Sequence, residues 1–135
     1  MNEPTKAYIA GFLDGDGSIM LQLVHRKDYK FGYQIRVGMC FYQKSKYKAE
    51  LEKLKEILKF GYIKDRNDGM TEYTIVGKDE VKEVLEALQP YILFKSKHVS
   101  AALRILNEMG DRRKMLKEEF LRLARLVDSY SSLNY

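Results

Sequence analysis

Cysteine is nearly missing from this chain: one, Cys40, in 135 residues, which excludes an intrachain disulfide and a cysteine-based zinc cluster. Histidine is almost as scarce, with only His25 and His98, so a zinc nuclease site is not expected either. Two prolines, set against 45% apolar residues, argue for a folded globular chain rather than a disordered one. No apolar run approaches the roughly eighteen residues a membrane helix needs. The opening Met1-Asn2-Glu3-Pro4 lacks a signal-peptide core, so a soluble, intracellular chain is expected, its compartment left open. No linker divides the sequence, and residues 1–135 are expected to form one domain with its own core. Acidic side chains are outnumbered: 24 Lys and Arg against 19 Asp and Glu leave a formal charge of +5. That sign suits a polyanionic partner, because neutralised phosphates release their counterions.

What is present is concentrated in Tyr8-Ile9-Ala10-Gly11-Phe12-Leu13-Asp14-Gly15-Asp16-Gly17-Ser18. The stretch begins as a helix, ends in two acids separated by glycine, and runs into an alternating apolar strand. Carboxylates thereby fall at a helix C-terminus, where the last carbonyls have no helical partner. An oxygen-rich end of that kind suits a hard cation such as Mg²⁺, with Asp16 and the Gly15 carbonyl as first candidates. Ala7, Gly11 and Gly15 share one helical face, bare enough for a second helix to come close. Two copies packed there would set two acids side by side, with Ala7, Ala10, Gly11 and Asp14 expected at the crossing. Two plainer readings compete. Asp14, Asp16 and Ser18 match the first ligands of a calcium loop, but Ile19 stands where that loop needs Gly and His25 where it needs Glu. A simple helix-to-strand turn also uses Asp-Gly pairs.

Periodicity predicts a helix over 5–13, with Pro4 at its start, and a strand over 18–25. A polar loop leads to a second strand over 33–42, making a β-hairpin. Leu51, Leu54, Ile57 and Leu58 mark a helix over 44–59, closed by Gly61. A second hairpin spans 62–66 and 71–76, and a helix follows over 78–88 until Gln89-Pro90-Tyr91 breaks it. Further helices are expected over 95–109 and 114–127, divided near Gly110, before a tail that frays. The order is α+β, with an antiparallel sheet covered by helices on one face and open on the other.

Residues 9–17 resemble the motif of the LAGLIDADG homing endonucleases, with Ile for the first Leu, Phe-Leu for Leu-Ile and Gly15 for the second Ala. The resemblance extends through the element order over residues 5–109. It implies the αββαββα fold with a saddle-shaped sheet and, here, additional C-terminal helices. One motif per chain implies a homodimer. The implied activity is Mg²⁺-dependent cleavage of both strands of a long, near-palindromic duplex, leaving 3′ overhangs, with Mn²⁺ expected to substitute. It also implies a gene carried within an intron. Asp16 would then be catalytic as well as a metal ligand, while Asp14 either joins it or orients partner backbone. Gln43 stands where these enzymes place a glutamine that positions solvent, and Lys95 where they place an active-site lysine. One departure is Tyr47, which replaces an arginine; Lys46, Lys48 or the Tyr47 hydroxyl is left to fill that role.

Strand phase gives the DNA-reading surface. If Ile19, Leu21, Leu23, Ile35, Val37 and Met39 pack under helices, then Met20, Gln22, Val24, Arg26, Gln34, Arg36, Gly38 and Cys40 face out. Lys64, Arg66, Glu72 and Thr74 extend that face. Gln and Arg can pair bidentately with base edges in the major groove. Lys27, Lys30, Lys44 and Lys48 are expected to meet phosphates, which position without reading sequence. His25 and the Arg112-Arg113-Lys114 run are read as structural and solvated. Two rivals share the fold: a maturase that binds intron RNA, and a DNA-binding regulator without catalysis.

Overall fold

The computed structural model describes residues 1–110 and 114–133; Arg112 and Arg113, read above as a solvated helix start, lie outside those residues. The first helix, α1, runs Glu3–Asp16, longer at both ends than its apolar spacing predicts. Asn2 caps it by accepting the Thr5 N–H at 2.9 Å, and Pro4 sits in its first turn. It ends against β1 (Gly17–His25), which pairs antiparallel with β2 (Tyr33–Lys44). A 3-10 turn, Ser45–Tyr47, leads into α2 (Lys48–Leu58). The second hairpin is β3 (Tyr62–Asp65) with β4 (Met70–Val76), followed by α3 (Lys78–Leu88) at the predicted bounds. A 3-10 turn over Gln89–Tyr91 opens the way to α4 (Ser96–Glu108), and α5 (Lys117–Ser131) completes the described elements.

The four strands form one antiparallel sheet in the order β1-β2-β4-β3, so the two hairpins join through their inner strands. Helices cover the face carrying Ile19, Leu21, Val37, Met39, Phe41, Tyr73 and Ile75, all buried. Phe41 ties the motif helix to the sheet: its ring lies 5.5 Å from that of Phe12 and 5.9 Å from that of Tyr73. Contacts of this kind contribute about 0.5–1.5 kcal/mol each beyond area burial. Among the described residues no helix is long and apolar enough to cross a membrane.

Two element ends differ from the sequence expectation for identifiable reasons. α2 stops at Leu58, and the left-handed residue that closes it is Lys59, with φ 69°, rather than Gly61. Gly61 answers a different need, since a Cβ there would lie 2.2 Å from the Thr74 carbonyl oxygen. α5 starts later than expected and continues to Ser131 because Tyr130 is buried and donates its hydroxyl to Ile19 O at 2.7 Å. That bond fastens the last helix over β1, a long-range constraint that local periodicity does not register.

Candidate active site and nucleic-acid interface

The motif's two acids end in opposite environments although one glycine separates them. Asp14 is 7% exposed, and its carboxylate accepts three backbone N–H groups: Leu93 at 2.7 Å and Phe94 at 3.1 Å on Oδ2, and Lys95 at 3.0 Å on Oδ1. Lys95, equally buried, returns its Nζ to Asp14 O at 2.8 Å. A cation there complements the negative end of the α1 dipole. Asp16 instead is exposed, and among the described residues nothing hydrogen-bonds or pairs with its carboxylate. The chain turns directly from Asp16 into β1 because residue 17 is glycine: a Cβ would sit 2.6 Å from Leu13 Cδ1 and 2.9 Å from Leu13 O. Asp16, Gly15, Asp14 and Lys95 are thus brought to one end of the sheet.

Gln43 lies near the end of β2, the strand whose Phe41 pairs with Gly17, so it reaches the same end. Its Oε1 accepts the Lys44 N–H at 3.0 Å. Tyr47, in the arginine position, is exposed, with Lys46 Nζ 5.1 Å from its ring centroid. Lys48, expected at a phosphate, is paired with Asp65 at 3.1 Å. Among the described residues no three His, Cys, Asp or Glu side chains gather as a metal site. Asp16 and Gly15, the residues expected to offer oxygens to a cation, both lie exposed at the end of α1.

The expected helix crossing needs revision. Ala10 is fully buried within its own chain, and Asp14 is held by residues 93–95, so neither faces a partner. Ala7, Gly11 and Gly15 do face out, and a Cβ on either glycine would meet nothing within 4 Å. Beside this bare stripe Tyr8 is 77% exposed, and Leu93 and Phe94 are 74% and 60% exposed. The sequence reading missed these three; the signal for Leu93 and Phe94 is the Asp14 clamp, which exists only in the fold.

The open face of the sheet carries the predicted phase with three corrections. Gln22, Arg26, Arg36, Lys64 and Arg66 are exposed, and Met20, Val24, Gln34 and Glu72 are half-buried. Gly38, Cys40 and Thr74, expected to be exposed, are buried. They occupy the central strands, where neighbouring side chains close over small residues: Cys40 Sγ and Thr74 Oγ1 share a hydrogen bond at 3.0 Å, and burial pushes the thiol up from its ordinary pKa. Arg66 is already held by Asp68 at 2.6 Å and Glu72 at 3.5 Å. Lys44 and Lys27 are exposed, but Lys30, expected at a phosphate, donates to Met115 O at 3.2 Å. His25 is exposed against Tyr33 at the strand end. Strand register adds Tyr42 and Tyr62 to this face, with the Tyr42 hydroxyl 3.1 Å from Ser18 Oγ. A cavity of roughly 500 Å³ opens at the other end of the first hairpin, between Tyr29, Phe31, Met109 and Phe120.

With that geometry in place, the comparisons are specific. The profile of the family described as LAGLIDADG endonuclease matches residues 9–103. The chain is 37% identical to DNA endonuclease I-CvuI of Chlorella vulgaris over 103 residues, which are 76% of this chain and 64% of that protein. It is 30% identical to DNA endonuclease I-CreI of Chlamydomonas reinhardtii over 133 residues, 98% of this chain and 80% of that protein. A crystal structure of I-CvuI with the I-CreI target, in the presence of Mg and with the DNA not cleaved, matches at TM-score 0.90 and 32% identity, covering 98% of this chain and 83% of that one. The homing endonuclease I-TnaI shares the fold at TM-score 0.82 and 21% identity, covering 96% and 89% of the two chains. Motif, element order and profile agree over the same residues, and the chain belongs to the LAGLIDADG endonuclease family.

Proposed function

We propose that this chain is a sequence-specific DNA endonuclease that acts as a homodimer and cleaves both strands of a near-palindromic duplex with Mg²⁺, or Mn²⁺ in its place. The observation that carries this reading is the division of the two motif acids. Asp14 is occupied inside its own chain, whereas Asp16 is exposed and unengaged beside the bare Ala7, Gly11 and Gly15 face. The relatives support it: I-CvuI and I-CreI are named DNA endonucleases, and I-CvuI has been crystallised on DNA with Mg or Ca.

The donors fit a hard cation. Asp16 and the Gly15 carbonyl are oxygens at a helix C-terminus, and a second subunit, phosphates and water would complete the coordination. When bound, Mg²⁺ supplies Lewis-acid stabilisation of phosphate charge and a more acidic water. This chain's own residues do the rest. Asp16 holds the site open to solvent at the subunit boundary, Gln43 orients a water, and Lys95 places positive charge behind the acid end of α1. A second copy seated on the bare stripe also covers Tyr8, Leu93 and Phe94, and dimer symmetry demands matching symmetry in the DNA. Gln22, Arg26, Arg36 and Lys64 are then placed to read or grip each half-site.

The test is cleavage of a duplex DNA library in Mg²⁺ with sequencing of the ends, and Asp16→Asn as control. Double-strand ends with 3′ overhangs at one near-palindromic motif, lost in Asp16→Asn while specific binding survives, are expected. Undiminished cleavage by Asp16→Asn would remove that residue from the site. Enrichment of a motif without cutting by the unaltered protein would replace the endonuclease by a regulator or an intron-RNA maturase.

A further inference from the structure

A second polar cluster lies behind the turn that follows β2, on the helix-covered side of the sheet. Strand pairing puts Gln43, Thr71 and Asp65 in one row. The hydroxyl of Thr71, which is fully buried, donates to Asp65 Oδ1 at 2.8 Å. Its only proton is thereby engaged, so in the 2.8 Å contact between Ser45 and Thr71 it is Ser45 that donates. The Ser45 N–H donates to Gly69 O at 2.8 Å, and Lys48 Nζ to Asp65 Oδ2 at 3.1 Å. The turn that follows Gln43 is therefore fastened to the second hairpin at its strands and at its loop. Lys64 and Arg66, on either side of Asp65, are exposed, and Arg66 reaches Glu72 on the open face.

Nothing about burial alone calls for this chemistry. A buried hydroxyl is costly unless it is bonded, and an apolar side chain at position 71 would fill the space without that demand. A fully satisfied polar chain instead fixes one geometry. The Thr71 hydroxyl, and then Lys48, hold the Asp65 carboxyl below its usual range, as expected of a carboxylate that accepts both bonds.

We propose that Asp65, Thr71 and Ser45 are positioning residues for cleavage, holding the end of β2 with Gln43, and the turn after it, in register with the hairpin whose other side meets DNA. This rests on the endonuclease reading above. Seating of the hairpin on its half-site is then transmitted to Gln43 through three side chains. Slack of about 1 Å at a reacting centre can cost 100-fold in rate.

The experiment compares single-turnover cleavage and DNA affinity for the full chain and for Thr71→Val, Thr71→Ser, Ser45→Ala and Gln43→Ala on the target recovered from the library. Thr71→Val should cut about 10- to 100-fold more slowly, the usual range for partners that orient a site residue. Its DNA affinity and melting temperature should hold, and Thr71→Ser should recover most of the rate. Ser45→Ala combined with Thr71→Val should be no slower than either alone, because both break one chain of bonds. Wild-type rate in Thr71→Val, with Gln43→Ala slow, would overturn the relay and leave the active-site reading standing. Parallel loss of rate, affinity and melting temperature without rescue by serine would also overturn it. An unaltered protein that cuts nothing would overturn the endonuclease reading and the relay together.

Discussion

Replacing Asp14 by alanine should cost stability, whereas replacing its neighbour Asp16 should not. The Asp14 carboxylate accepts the N–H groups of Leu93, Phe94 and Lys95 at 2.7, 3.1 and 3.0 Å. Alanine leaves all three donors without that acceptor. The Lys95 bond is buried, so its N–H loses a charged partner and gains no water, at about 1.5–3 kcal/mol. The Leu93 and Phe94 bonds are only part-buried, so water can partly replace the acceptor and each loss costs roughly 0.5 kcal/mol. The sum is about 3 kcal/mol, above the roughly 2 kcal/mol of the largest helix-cap deletions. For a chain of this size that lowers the melting temperature by roughly 10 °C. The assay is urea unfolding and thermal melting at one fixed protein concentration, since the proposed dimer would make apparent stability depend on it. Asp16→Ala, run alongside, should melt with the unaltered chain or above it, because it removes a negative charge from the negative end of a helix. Equal destabilisation by the two substitutions would refute the division of labour between the acids.

Two further outcomes follow from the packing. Gly11→Leu fills open space in its own chain but obstructs a second helix, so it should fold normally and run as a monomer in size-exclusion chromatography; a stable, active dimer would contradict the proposed crossing. Burial pushes the Tyr73 phenol up to about 12. An acid raised on folding favours the folded state in full only below its unfolded value, so the contribution of Tyr73 should be complete below about pH 10 and lost as the pH rises to about 12. Tyr73→Phe should flatten that alkaline decline, and an unchanged pH profile would show that Tyr73 does not set it.

The sequence by itself determined the parts of this protein that depend on local pattern. Alternation fixed β1, β2 and both faces of the sheet, and 3.6-residue spacing fixed α3 at its observed bounds. The motif located both acids and the bare stripe, since those are matters of composition and spacing within one helix. Only the tertiary structure decided how each residue is used. Asp14 turned inward because residues 93–95, distant in sequence, bring it three unpartnered N–H groups. Gly38, Cys40 and Thr74 are buried because the central strands of a four-stranded sheet shield small side chains even on the open face, which period-two alternation does not report. Tyr130 carried α5 past its expected end by a bond to β1, and Thr71 met Ser45 through strand register. Each of these is a contact between residues far apart in the chain, and spacing along one element carries no information about what the other element will offer.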